Sequence, residues 1–341
     1  MLTLTNLLAP YVQRVETEMR HMIPSLNQHR PFFGQIHYHL GWANSAFEAE
    51  TQRGGKRVRA TFCLMAAEAF SGKIEPALSA AVAFELLHEF TLIHDDIEDG
   101  DRSRRHRPTL WTIVGIPQAI NTGDGLFTLA QQALLHSQTR GIPAEWVLDA
   151  QQRFNAAVLK ICLGQHLDMA FESRCTISPD EYLEMINGKT AALLACCGEV
   201  GALLAGAKEE DVAAVHEIGE AAGLAFQMCD DLLGIWGDPK RTGKPVGADI
   251  RAKKKSLPVT YALNQPNSDA LHALYAAPLT KECQIAEATR LIEATGARDY
   301  VIELARQQEQ RALARLSDLS APAERLVPLR QLVKKLTHRD Y

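Results

Sequence analysis

The chain has 341 residues, enough for one large domain or two ordinary ones. Hydrophobic residues make up 46% and charged residues 23%, which excludes a wholly disordered chain. Lysine and arginine total 36 against 41 acids, a net charge of −5, so the composition carries no general nucleic-acid footprint.

Aromatic residues are scarce at 6%, while alanine and leucine recur throughout, a bias towards helix. The first nine residues are apolar but lack a basic leader and an Ala-x-Ala site, so they do not read as a signal peptide. From there to about Pro31 the pattern is amphipathic and helical. Gly54-Gly55 breaks the chain, and Val58 to Phe70 predicts a helix closed by Ser71-Gly72. Ala77 to Ile97 is apolar on nearly all faces, the mark of a buried helix. It runs into a dense charge cluster, Asp95 to Arg107, closed by Pro108. Further helices are predicted over Ile120 to Ser137, Ala144 to Phe171, Pro179 to Leu204 and Glu209 to Ile235, with Pro143 and Pro179 at helix starts. The most apolar stretch, Ala191 to Ala207, contains Glu199 and three glycines and reads as a close-packed core helix rather than a membrane span. A second charged loop, Gly237 to Lys255, precedes an apolar run at Leu257 to Leu263 and a turn at Gln265 to Ser268. Four more helical segments follow, the last near Glu324 to Thr337. No strand alternation, βαβ unit or Gly-rich nucleotide fingerprint is evident. The expectation is an all-α fold, one bundle open at one end, forming a single domain over 1–341. The seven cysteines make no C-x-x-C pair, several lie in apolar helical stretches and read as core thiols, and this usage points to a cytoplasmic location.

Two acidic clusters stand out. Asp95 and Asp99 in Asp95-Asp96-Ile97-Glu98-Asp99 are four apart, so on a helix they share a face, where like charges repel unless a cation sits between them. Asp230-Asp231 follows the apolar run Gly223 to Cys229, and Gln227 lies on the same face. Hard oxygen ligands from two helices suit Mg2+, commonly completed by substrate phosphates. A basic set complements them. Lys56 and Arg59 lie three apart at a helix start, where backbone amides already favour an anion. Arg104-Arg105, Lys189-Thr190, Lys244 and Lys253-Lys254-Lys255 add cations suited to phosphate. Together they describe a pocket for polyanions held partly through Mg2+ and partly by direct contact.

These stretches resemble the trans-isoprenyl diphosphate synthases of the polyprenyl synthetase family. The resemblance rests on GGKRVRA (54–60), ELLHEFTLIHDDIEDGDRSRRHRPT (85–109), GQHLD (164–168), GKTAAL (188–193), FQMCDD (226–231) and GKPVGADIRAKKKSLP (243–258), in family order and spacing. It implies an isoprenoid synthase fold, a helical bundle around a deep central cavity, usually a homodimer without a membrane span. It implies condensation of isopentenyl diphosphate with an allylic diphosphate, using three Mg2+ ions. Asp95, Asp96, Asp99 and Asp230 would then hold Mg2+, with Asp231 as second choice to Asp230. Arg104, Lys189 and Lys244 would contact the allylic diphosphate, as would Lys255, with Lys254 as its rival. Lys56, Arg59, His88 and Arg105 would bind isopentenyl diphosphate. Thr190 and Gln227 would line the reacting allyl group. Phe90, with small Thr91 beside it, lies about 7.5 Å deeper along the helix than Asp95 and would floor the cavity, as in geranylgeranyl (C20) diphosphate synthases. Farnesyl (C15) and longer-chain synthases are the alternatives.

One departure is visible. The family's second motif often has a third Asp four residues after the first, and here that position is Gly234. Asp238, after Gly237, reads as lying beyond the helix. A class I terpene cyclase would need no Lys56, Arg59 and His88 set. A non-catalytic synthase subunit tends to lack the acidic motif, which is intact. A di-iron bundle would use Glu18–His21 and Glu85–His88, each a Glu-x-x-His pair, but bridging glutamates on other helices are not evident.

Overall fold

The computed structural model describes residues 3–51, 55–238 and 246–337. Helices α1 (Leu4–Met22), α2 (Arg30–His39), α3 (Val58–Ser71) and α4 (Leu78–Glu98) lead to a short antiparallel hairpin, β1 (Ser103–Arg104) and β2 (Arg107–Pro108). Then come α5 (Leu110–Val114), α6 (Ile116–Leu135), α7 (Ala144–Ser173), α8 (Pro179–Ile186), a π-helical turn (Asn187–Ala191), α9 (Ala192–Leu204) and α10 (Glu209–Trp236). The rest is α11 (Ala248–Arg251), α12 (Leu257–Leu263), α13 (Asp269–Ala276), α14 (Glu282–Ala294), α15 (Ala297–Asp318) and α16 (Val327–Thr337). The all-α expectation holds. Five features differ from the sequence-based expectation: helices α2, α5 and α11, the hairpin, and the π-helical turn that divides the predicted helix over Pro179 to Leu204.

The helix ends follow local chemistry. Thr3 caps α1 by accepting from Asn6 N at 3.2 Å. Ser178 and Glu181 form a reciprocal capping box at the start of α8, with Pro179 in the first turn. Gly72 ends α3 in the left-handed conformation, φ 73°.

The chain groups into two compact units. The first is Met1–Arg153 with Val200–Glu209, and the second is Phe154–Glu199 with Glu210–Tyr341. In the first unit α4 is the spine, packed along α6, α3 and α1. Every residue from Leu78 to Leu87 is buried. The stretch 75–98 is long and apolar enough, by composition, to cross a membrane, yet 72% of its apolar window is buried within the protein, as in a core helix. In the second unit one apolar cluster joins Tyr182, Met185 and Ile186 of α8 to Leu224, Met228 and Leu232 of α10 and Val301 of α15. Another joins Ile235, Ile250, Val259, Leu263, Ile285 and Ile292. None of the seven cysteines forms a disulfide; Cys63, Cys196, Cys197 and Cys229 are buried.

Candidate active site

Helix α4 ends in acid. Asp95, Asp96, Glu98 and the C-capping Asp99 crowd its last turn, which has no basic residue. The negative end of the helix dipole makes carboxylates costly there. Asp99 N donates to Asp95 O at 2.8 Å, which keeps the turn helical and holds Asp95 and Asp99 one turn apart. Asp95 is half-buried and Asp99 exposed. Asp96 faces another way. It is 1% exposed and accepts from Arg104 Nε at 2.6 Å. Burial raises its carboxyl above the ordinary aspartate range, against the pull of Arg104.

The hairpin aims the arginines. Arg105 and His106 at its turn both have positive φ, 52° and 62°, as a tight two-residue hairpin turn demands. Arg104 thereby reaches back to Asp96, and Arg105 Nη2 sits 3.2 Å from Glu89 Oε1. Glu89 also contacts His39 Nε2 at 3.0 Å and Arg57 Nη1 at 2.6 Å. Arg57 is 2% exposed, with φ 50°, at the N-cap of α3. Its guanidinium further donates to Glu85 Oε1 at 2.8 Å and Glu16 Oε1 at 2.8 Å. Burial opposes ionisation of Glu89, yet His39, Arg57 and Arg105 hold its carboxyl well below the usual range. Losing one member of such a buried set strands the others, at a cost on the order of 3–5 kcal/mol.

Around this cluster lie the residues expected to bind isopentenyl diphosphate. Lys56 is exposed, beside Gly55, where an added methyl would lie 3.0 Å from Arg105 Nη2. Arg59 Nη1 is 3.1 Å from His88 Nε2. Burial first, then Arg59, pushes His88 well below its ordinary pKa, so the neutral ring accepts from the guanidinium. Phe90 is half-buried, its ring 4.7 Å from that of His94 and 5.3 Å from that of Phe127 on α6. Thr91 Oγ1 donates to His88 O at 2.8 Å.

The second unit holds the remaining set. Gly164 of α7 and Gly188 of the π-helical turn pack backbone to backbone. An added methyl would lie 2.1 Å from Lys189 N at Gly164, and 2.7 Å from Lys160 O at Gly188. This approach brings Lys189 Nζ to 2.5 Å from Asp168 Oδ2. π-Helical turns interrupting a helix frequently mark functional sites. Thr190 Oγ1 donates to Gln227 Oε1 at 3.1 Å, and Gln227 Nε2 donates to Asp231 Oδ1 at 3.0 Å. Asp231 Oδ2 accepts from Tyr182 Oη at 2.6 Å and Leu257 N at 3.0 Å. Asp231 is thus wholly engaged inside the protein, its pKa pushed up by burial to about 6. Asp230, its half-buried neighbour, lies 100° around the helix. Lys255 Nζ donates to Phe171 O at 2.6 Å and Glu172 O at 3.2 Å, so it caps the end of α7, while Lys254 is exposed. At Gly234 an added methyl would lie 2.0 Å from Asp249 Oδ2, so the Asp249 carboxylate fills the space a side chain would need there.

The sequence-predicted residues therefore divide between the units. Lys56, His88, Arg59, Phe90, Thr91, Asp95, Asp96, Asp99, Arg104 and Arg105 lie in the first; Lys189, Thr190, Gln227, Asp230 and Lys255 lie in the second. Lys244 falls outside the described residues. Residue-by-residue reading missed Arg57, Glu89, Asp168 and Asp249. The available signal was Glu85 and Glu89, charges inside an otherwise apolar helix, and Asp168 four residues after Gly164. The di-iron alternative loses its ligands, because Glu85 binds Arg57 and Glu18 pairs with Arg140. Among the described residues no group of three or more His, Cys, Asp or Glu side chains is disposed to hold a metal ion unaided. Asp95 and Asp99 offer the hard, paired oxygens that suit Mg2+ completed by phosphate.

Comparison with known proteins identifies the family. Residues 41–292 match the model of the polyprenyl synthetase family. The chain is 41% identical to a geranylgeranyl diphosphate synthase of Mycobacterium tuberculosis over 300 residues, covering 87% of this chain and 84% of the relative. It is 37% identical to a (2E,6E)-farnesyl diphosphate synthase of the same organism over 331 residues, covering 94% and 89%. The structure of a polyprenyl synthetase from Streptomyces coelicolor superposes with a TM-score of 0.90 at 35% identity, covering 98% of this chain and all of that one. A geranylgeranyl pyrophosphate synthase from Corynebacterium glutamicum, complexed with isoprenyl diphosphate and magnesium, gives 0.82 at 28% identity, covering 99% and 100%. The chain belongs to the polyprenyl synthetase family.

Proposed function

We propose that the protein is a prenyltransferase that condenses isopentenyl diphosphate, head to tail and in the E configuration, with an allylic diphosphate to give C20 geranylgeranyl diphosphate. The observation that carries this reading is the pairing, on one helix, of an acidic end at Asp95 and Asp99 with a cationic set around His88, Lys56, Arg59 and Arg105. A class I cyclase has use for the first and none for the second.

Asp95 and Asp99, with Asp230, are the carboxylates we assign to Mg2+, three ions in all. When bound, Mg2+ neutralises charge on the departing diphosphate. Asp96 gives Oδ1 to Arg104, so we assign it first to hold that arginine, with Oδ2 left for the Mg2+ role that the resemblance implies. Arg104 and Lys189 donate to the allylic diphosphate, and Asp168 fixes the Lys189 ammonium. Exposed Lys254 replaces Lys255 in this role, and Lys244 is kept from the family resemblance. Thr190 and Gln227 present oxygens towards the developing allylic cation. Apolar walls keep water from that cation after the C–O bond ionises. Lys56, Arg59, His88 and Arg105 hold isopentenyl diphosphate while its double bond attacks C1, and a proton then passes to the released diphosphate. Exposed Leu159 and Leu163 of α7 support a homodimer, and cysteines outside any disulfide suit a reducing cytoplasm.

The test is direct. Purified protein, Mg2+ and labelled isopentenyl diphosphate are incubated with dimethylallyl, geranyl or farnesyl diphosphate in turn, and dephosphorylated products are separated. A C20 end product from each primer is expected. A C15 end product selects the farnesyl reading, and no incorporation refutes the prenyltransferase.

A further inference from the structure

We propose that the buried Arg57–Glu89 ion pair is the positioning device of the isopentenyl diphosphate site, on which both the geometry and the position of that site depend. The proposal rests on the prenyltransferase reading and assigns a role to two residues that reading leaves unused.

Each of the four residues assigned to isopentenyl diphosphate is attached to this pair. Arg57 follows Lys56 directly and is two residues before Arg59. Its left-handed backbone, φ 50°, turns the chain into α3 at that point. A non-glycine residue persists there only where its surroundings hold it. The guanidinium supplies that hold by gripping Glu16 of α1 and both Glu85 and Glu89 of α4 at 2.6–2.8 Å. Glu89 follows His88 directly on α4, and His88 in turn meets Arg59 Nη1 at 3.1 Å. Glu89 also takes both Nη1 and Nη2 of Arg105, at 3.2–3.5 Å. These contacts leave the Arg105 Nε–H for an incoming anion, since a guanidinium carries five donors. One pair therefore ties the 55–59 turn, α4 and the hairpin together, and these are the three segments that carry the cations.

Electrostatics alone predicts the opposite sign. Glu89 is a negative charge beside a site for a diphosphate, so removing it should strengthen anion binding. If positioning governs, removing it weakens binding although the local charge becomes more favourable. Misplacement of a contact by about 1 Å costs on the order of a hundredfold in favourable cases, more than one screened charge returns.

Steady-state kinetics on Glu89→Gln and Arg57→Lys, each preserving size, decide the matter. The expected result is a rise of roughly tenfold or more in KM for isopentenyl diphosphate, with KM for the allylic diphosphate within about twofold of wild type. The double variant should cost less than the two single losses combined, because each already breaks the Arg57–Glu89 contact. A merely structural role would move both KM values together or only the thermal midpoint. An isopentenyl KM that is unchanged, lowered, or raised equally with the allylic one overturns the proposal. Glu89→Gln carries the test alone if Arg57→Lys does not fold. Calorimetric titration with isopentenyl diphosphate reads the same site without turnover. A wild type that binds but does not turn over refutes the function and leaves the positioning test intact; a wild type that does not bind overturns both.

Discussion

Asp230 and Asp231 are neighbours in sequence with opposite environments. Asp231 gathers Tyr182, Gln227 and Leu257 N inside the protein, which is why we assign the metal to half-buried Asp230. No pattern in the sequence separates the two, because the difference comes from α8 and α12 packing on one side of α10. Gly234 repeats the point. It reads as a lost ligand, yet Asp249 lies against it. Restoring the family residue by Gly234→Asp should therefore lower the thermal midpoint by several degrees rather than improve Mg2+ dependence. Adding Asp249→Gly should recover most of that loss, as differential scanning would show. Phe90 belongs to the same scale. Its ring lies against Phe127, so Phe90→Ala opens space that Phe127 only partly closes. Products longer than C20 are expected by chromatography of the dephosphorylated prenols. An unchanged profile removes Phe90 from the cavity floor. His88 carries a pH signature. Its folded pKa lies well below 6.5, so unfolded chains take up a proton that the folded state refuses. The His88 contribution to stability is complete above pH 6.5 and is lost as pH drops below it. In His88→Gln, which still accepts from Arg59, part of the fall in thermal midpoint between pH 7 and 5 should disappear.

Elements with a strong apolar pattern were legible. Helix α4 is predicted as Ala77 to Ile97 and found as Leu78–Glu98, and α7 and α10 agree as closely. Burial of a whole face leaves its period in the sequence. The hairpin at 103–108 left no such period, because two residues per strand are too few to alternate. The π-helical turn at Asn187–Ala191 was also hidden, since its cause lies on another helix, in the contact of Gly164 with Gly188. That origin gives a test at the scale of the element. Gly188→Ala places a methyl 2.7 Å from Lys160 O, so α7 and the turn must separate and Lys189 must leave Asp168. A loss of roughly 10–100-fold in kcat/KM for the allylic diphosphate is expected from steady-state kinetics, with a cooperative melt retained. Gly164→Ala, at 2.1 Å from Lys189 N, should be worse on both measures.

At the scale of the molecule, the net charge of −5 averages over two local extremes. The set we assign to isopentenyl diphosphate consists of cations and a neutral histidine, so an anion there needs no metal to be held. The allylic set begins with Asp95, Asp99 and Asp230, which repel a diphosphate until a divalent cation intervenes. One chain should therefore show two opposite metal dependences. A ligand that binds only the folded state stabilises it by about 2.7 kcal/mol at a hundredfold excess over its Kd. That corresponds to a rise of a few degrees in thermal midpoint for a chain of this size. Isopentenyl diphosphate alone should raise the midpoint by that much in the presence of a chelator. An unreactive allylic diphosphate analogue should raise it only when Mg2+ is present, and chelation should return the midpoint to that of the free protein. In Asp95→Asn the allylic shift should shrink while the isopentenyl shift persists. Equal metal dependence for both ligands would show that the acidic and cationic sets are not separate sites, and the division of labour along α4 would fall with it.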